Sequence, residues 1–249
     1  MEVHHHSHTP DPGLHRGKKK WTHYFWEFFM LFLAVTLGFF VENQREHYIE
    51  HLRTKEYARQ MNDDLKNDTA EYNWIIQQID SYVKNFDTVN VLFDHSPPVS
   101  NRRLLTAVLT RRATFGMPAA TMTFNQMKNS GTIRYFRNKD LSKQISHYYE
   151  ATIPPLIQSL EYDDDFFNRE LQSFMLNHFD YNQSDFLTDT LKVSDPVYLE
   201  RNAKNDLLLR NRLIHYNSLL QYTVNFWLKR GRNEATELMD FLSKEYHLE

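Results

Sequence analysis

The stretch His47-Tyr-Ile-Glu50-His51 fits an H-x-x-E-H pattern. On a helix, two imidazoles four residues apart share a face and can bind zinc, while the carboxylate between them serves as a base for hydrolysis. No third ligand accompanies the pair, and its surroundings (Glu42, Arg45, Glu46, Arg53) are densely charged. The motif therefore reads as a solvated helix face rather than a peptidase centre. His4, His5, His6 and His8 form a second group of weak metal-ligand candidates, in a tail with a casual affinity for transition metals. Glu161, Asp163, Asp164 and Asp165 cluster in sequence, but consecutive helical residues point different ways, so the run reads as a solvated face and not a cation cage. A carboxylate di-iron site needs Glu-x-x-His inside bundle helices, and here that spacing occurs only at Glu2 and His5, in the tail.

Other chemistries fall away on composition. The 249 residues contain no Cys, which excludes disulfides, thiolate metal sites and Cys nucleophiles. Gly numbers only 6, far below the usual share of roughly 7%. No Gly-rich phosphate loop, dinucleotide fingerprint or G-x-S-x-G elbow is present. Net charge is −3, against a globally basic nucleic-acid binder. Arg102-Arg103, Arg111-Arg112 and Arg230 with Arg232 read as scattered solvated charge. No catalytic residue, cofactor or firm metal site is assigned, and the expectation is a non-enzyme.

The elements that position these residues begin with an apolar segment. After Lys18-Lys19-Lys20 the chain runs from Trp21 to Val41 with Thr36 and Gly38 as the only interruptions beyond Phe28. From Tyr24 to Val41 a helix would span about 27 Å, close to a hydrocarbon core of about 30 Å. Trp21, Tyr24 and Trp26 stand at one end, as interfacial aromatics do. Glu27 sits roughly a turn inside, where it can snorkel or pair, including with a partner helix. A cleaved signal peptide fits less well, because the n-region is long and no A-x-A-like site follows; a buried or interfacial soluble helix is the other alternative. Trp21, Tyr24, Glu27, Phe28, Phe32 and Phe39 are the expected membrane or partner contacts. The three lysines bias the N-terminus to the cytoplasm and the body to the far side, the periplasm in a bacterium.

Beyond the segment, no Pro intervenes before Pro97 and no Gly follows Gly38 until Gly116, so one helix can continue to about Phe93. Leu65, Tyr72, Ile79, Phe86 and Phe93 recur every seven residues; Met61, Ile75, Tyr82 and Val89 form a second seam that Asp68 alone breaks. A stripe this wide suits a bundle core, with a dimerising coiled coil as the alternative. Ser100 is placed as an N-cap, Thr123 as the cap of the next short helix, Gly131 as its left-handed terminator and Asn138 as the following cap. Pro154-Pro155 are expected to open another helix. A polar stretch from Asp180 to Pro196 precedes a last long helix from about Asn202–Asp206, with Arg230-Gly231-Arg232 as a candidate kink.

Two stretches carry a resemblance. Lys19 to Glu46, which includes Trp21-Thr-His-Tyr-Phe-Trp-Glu27-Phe-Phe-Met-Leu-Phe32, resembles the N-terminal anchor of uncharacterised Bacteroidota-type single-pass membrane proteins with a His-rich tail. Phe124-Asn-Gln-Met-Lys-Asn-Ser-Gly131 through Asn138 to Tyr148-Tyr149 is similar to a block in the same group. The resemblance implies a bacterial inner-membrane protein with a helical extracytoplasmic domain of unknown function. It implies no activity and no functional residues.

The expectation is an all-α chain: a transmembrane helix continues into a long helix, packed in a bundle with several shorter helices and a long C-terminal helix. Residues 1–20 form the cytoplasmic tail, 21–41 the transmembrane helix and 42–249 the extracytoplasmic domain. Its expected role is a non-enzymatic accessory or scaffold subunit, with the lipid bilayer and an unidentified membrane or periplasmic protein as partners. Nucleic acid is not expected, and homo-oligomerisation stays open. The alternative is a sensor or ligand-binding module acting through a separate signalling partner.

Overall fold

The computed structural model describes residues 21–84, 91–94, 98–109, 116–117, 119–180, 184–185, 190–191 and 197–248. They are helical almost throughout. Helix α1 (Trp21–Lys84) runs unbroken for 64 residues, as the absence of Pro and of Gly after Gly38 allows. The chain divides into two compact units, Met1–His51 and Leu52–Glu249, and the long-range packing described next belongs to the second.

In that unit α1 turns Ala58, Met61, Leu65, Tyr72, Ile75, Ile76 and Ile79 inward. This is the stripe read from the heptad spacing; Phe86 and Val89 lie outside the described residues. A short turn, residues 91–94, buries Leu92 and packs Phe93 against the core. Next come α2 (Asn101–Leu109), α3 (Met122–Ser130) and α4 (Lys139–His147). The Ser100 hydroxyl accepts the Arg103 N–H at 3.3 Å, and Asn138 accepts the N–H groups of Asp140 and Leu141. Both act as N-caps by satisfying donors that the first turn leaves free. Gly131 ends α3 at φ 69°, a conformation that glycine adopts without a Cβ penalty. Thr123 does not cap. Helix α3 starts at Met122, with Thr121 in the capping position, and Thr123 is buried inside the first turn.

Pro154-Pro155 do lie in the first turn of a helix, as expected, but that helix follows the one before it without a break. Helix α4 passes through a π-helical turn, Tyr148–Thr152, into α5 (Ile153–Phe166), then through a second, Phe167–Gln172, into α6 (Ser173–His178). Each proline lacks an N–H and crowds the preceding turn. The wider π turn just before them lets the helix continue. The Ser184–Asp185 and Thr190–Leu191 pairs, β1 and β2, form a two-residue antiparallel ladder. Helix α7 (Ala203–Tyr222), capped by Asn202 accepting the Asn205 N–H, continues through a third π turn, Thr223–Leu228, into α8 (Lys229–Tyr246).

The α5–α6 and α7–α8 segments run antiparallel. Thr152 meets Glu234, Ser159 meets Thr223, Phe167 meets Tyr216 and Glu170 meets Arg212. Gly231 introduces no kink, because α8 is regular there. It is glycine for a packing reason: a Cβ at this position would lie 2.6 Å from the Tyr72 hydroxyl.

Candidate functional site

The first third of α1 and the interior of the helical unit are the two places where the chain departs from ordinary packing. In the first, an 18-residue window has mean hydropathy 1.9 and none of it is buried. By length and composition this helix can cross a membrane. Trp21 (81% exposed), Tyr24, Phe28, Phe32 and Phe39 (75%) all point outward. Their spacing stacks rings one turn apart: Trp21 on Phe25 at 6.4 Å, Phe25 on Phe29 at 6.1 Å, and Phe28 on Phe32 at 6.4 Å. Glu27 has a partner on its own helix, the His23 ring, with Nε2 3.0 Å from Oε1. The i, i+4 spacing of His23 and Glu27 is the signal in the sequence for this pair.

His47 and His51 lie one turn apart on α1, and His47 Nδ1 is 3.3 Å from Glu50 Oε2. Among the described residues no three His, Cys, Asp or Glu come together as a metal site would require. His4, His5, His6 and His8 fall outside the described residues.

The interior holds a polar network that the sequence reading missed. Asp68, the one break in the apolar stripe, is 2% exposed. Its Oδ1 accepts the Ala120 N–H at 2.9 Å, and its Oδ2 accepts the Tyr148 hydroxyl at 3.0 Å. The Tyr72 hydroxyl lies 3.3 Å from that of Tyr148. Since Tyr148 donates to the carboxylate, Tyr72 donates to Tyr148. Beside this chain, the Thr152 hydroxyl donates to Glu234, which also takes Arg230 Nε at 2.7 Å. Burial drives the Asp68 carboxyl above its ordinary pKa even though its two hydrogen bonds pull the other way. Burial likewise raises Tyr72 and Tyr148, which stay protonated. A cavity of about 260 Å³, lined by Gln144, His147, Tyr148, Glu234 and Glu237, reaches this network. Fixed neutral hydroxyls around one carboxylate, almost closed to solvent, hold elements together. Asp68 joins α1 to the segment before α3 and to the π turn after α4.

The acidic run is corrected in one respect. Asp164 accepts from Asn168 and Asp165 pairs with Arg169, but Asp163 is 2% exposed. One of its oxygens has no partner. Burial pushes its pKa up to about 6, against a hydrogen bond from Thr223.

No family model, curated protein or solved structure matches the chain. The geometry therefore carries the functional reading: described residues that are almost entirely helical, among them one exposed apolar helix able to cross a membrane, and a helical unit closed around a buried polar network.

Proposed function

We propose that this chain is a single-pass, membrane-anchored, non-enzymatic accessory subunit. Its anchor sits in a bacterial inner membrane with the N-terminus cytoplasmic, and its bundle engages protein partners in the periplasm. The observation that carries this reading is the contrast in burial along α1. The helical unit buries its own stripe from Ala58 to Ile79, whereas none of the apolar window at the start of α1 is buried. Apolar surface of that extent needs lipid or another helix to cover it. Trp21 and Tyr24 suit the interface, and Glu27 with His23 offers a polar contact to a neighbouring helix.

The test is gentle detergent extraction from native membranes with a C-terminal tag, followed by mass spectrometry and native sizing. Protease accessibility of that tag in intact spheroplasts reads the topology. A stoichiometric partner and a tag cleaved from outside are the expected results. A chain that washes from membranes with carbonate overturns the anchor, and recovery of the chain alone or as a homo-oligomer overturns the accessory role. A second reading, a ligand-binding module with a separate signalling partner, is favoured by a cavity of about 390 Å³ on the helical unit, lined by Lys55, Arg59 and Lys66 among others.

A further inference from the structure

Lys55, Arg59, Asn62 and Lys66 follow one another on α1 at spacings of four, three and four. That places them on one helix face over roughly 16 Å of rise. With Asp63, His247 and Leu248 they line a cavity of about 390 Å³. Asp63 pairs with Lys66 at 3.5 Å. Among the described residues, Lys55 and Arg59 have no carboxylate at ion-pair distance. The cavity thus has three cations against one acid. A second, independent observation lies between them. Asn62 is 4% exposed, and its Oδ1 has no hydrogen-bond partner. A buried acceptor of this kind is unfavourable until a donor reaches it. One ligand answers both features: its negative charges meet Lys55 and Arg59, and an O–H or N–H of the same molecule donates to Asn62. The volume lies in the range of about 300–1,000 Å³ usual for small-molecule sites.

We infer that this cavity binds a small organic polyanion carrying a hydroxyl or amine donor, of the hydroxy-carboxylate or phosphorylated-polyol class. The site lies wholly within the helical unit, so it stands independently of the anchoring and docking reading.

The experiment is calorimetric titration of the full chain in detergent micelles at constant ionic strength, because salt screens such contacts. The probes are citrate, glycerol 3-phosphate and tricarballylate, which is citrate without its hydroxyl. Saturable one-to-one binding of citrate or glycerol 3-phosphate is expected, and whichever binds tighter assigns carboxylate or phosphate chemistry. Tricarballylate should bind about fivefold more weakly than citrate, the scale of one hydrogen bond. Lys55→Gln and Arg59→Gln should each weaken binding about tenfold, the scale of a charge-assisted contact. Asn62→Leu should erase the difference between citrate and tricarballylate without lowering the melting temperature of the unliganded chain. If that variant fails to fold, the two exposed cation variants still decide the question. No saturable binding of either anion overturns the proposal, as does affinity unchanged by both cation substitutions. Equal binding of citrate and tricarballylate overturns the role of Asn62. Binding of an acidic peptide but neither small anion assigns the face to a protein partner and overturns the small-ligand reading.

Discussion

Two acids interrupt two apolar stretches of the same helix, and they are treated in opposite ways. Glu27 lies among exposed aromatics and is met by His23, four residues earlier on α1. Asp68 lies in a buried stripe and is met by Ala120 and Tyr148, from elements 52 and 80 residues away. The first arrangement needs only the helix, so it exists whatever surrounds it. The second exists only when the unit is folded, and removing one member strands the others in a low-dielectric interior. The same type of side chain is thus a surface feature in one region and a fastener in the other.

Asp68→Ala is the sharpest way to break that contrast. It strands the Ala120 N–H and the Tyr148 hydroxyl, and a loss of about 3–5 kcal/mol in denaturant unfolding is expected. Asp68→Asn should cost less, because its amide oxygen can still accept from Ala120. Equal losses for the two variants would mean that the carboxylate charge, not the hydrogen-bond pattern, matters.

Gly231→Ala comes next. Its Cβ would lie 2.6 Å from the Tyr72 hydroxyl and 2.8 Å from the ring carbon that bears it. Overpacking against a ring held by Tyr148 should cost about 2 kcal/mol. Tyr72→Phe in the same chain should recover part of this, since the nearer atom is gone. A double-mutant cycle with no coupling would refute the packing account of this glycine.

What the sequence made legible, and what it did not, follows the same division. Ser100, Gly131 and Asn138 were readable as helix ends because a cap or terminator acts within three or four residues. The Met61–Ile79 stripe was readable because its period is that of the helix itself. Asp68 showed only as a blemish in that stripe, since its partners are distant in sequence. Gly231 was read as a kink because Tyr72, which explains it, lies on another helix. Pro154-Pro155 were readable as a helix start because proline is tolerated in a first turn, whereas the π turn that joins this helix to α4 has no local signature. Asp163 looked like one more member of a solvated acidic run, and only its packing against the third π turn, at Thr223, reveals it as buried.

Asp163→Asn should shift stability in the other direction. Burial raises the folded-state pKa to about 6 from the ordinary aspartate value of 3.8. The folded chain therefore binds this proton more tightly than the unfolded chain, and wild-type stability falls as pH rises from about 4 to about 6. Above that window the ionised, half-satisfied carboxylate opposes folding by up to about 3 kcal/mol, the free-energy equivalent of the shift. The asparagine variant carries no charge but keeps unsatisfied amide groups, so a gain of about 1–2 kcal/mol at pH 7 is expected. The two chains should converge below pH 4. A difference independent of pH would mean that the Asp163 pKa is the same in the folded and unfolded chains.

Glu27→Leu should have the smallest effect on the fold and the most specific one on association. Its carboxylate is half exposed and its partner is on the same helix, so unfolding of the helical unit should change by less than about 0.5 kcal/mol. A leucine also makes the anchor more apolar, so membrane retention should hold or rise. If Glu27 and His23 present a polar contact to a partner helix, recovery of the complex in detergent should drop although the chain remains folded and membrane-bound. His23→Leu should have the same effect, because it removes the other half of the pair. Unchanged recovery in both variants would assign the pair to the helix alone, and any partner would then have to be held by the helical unit.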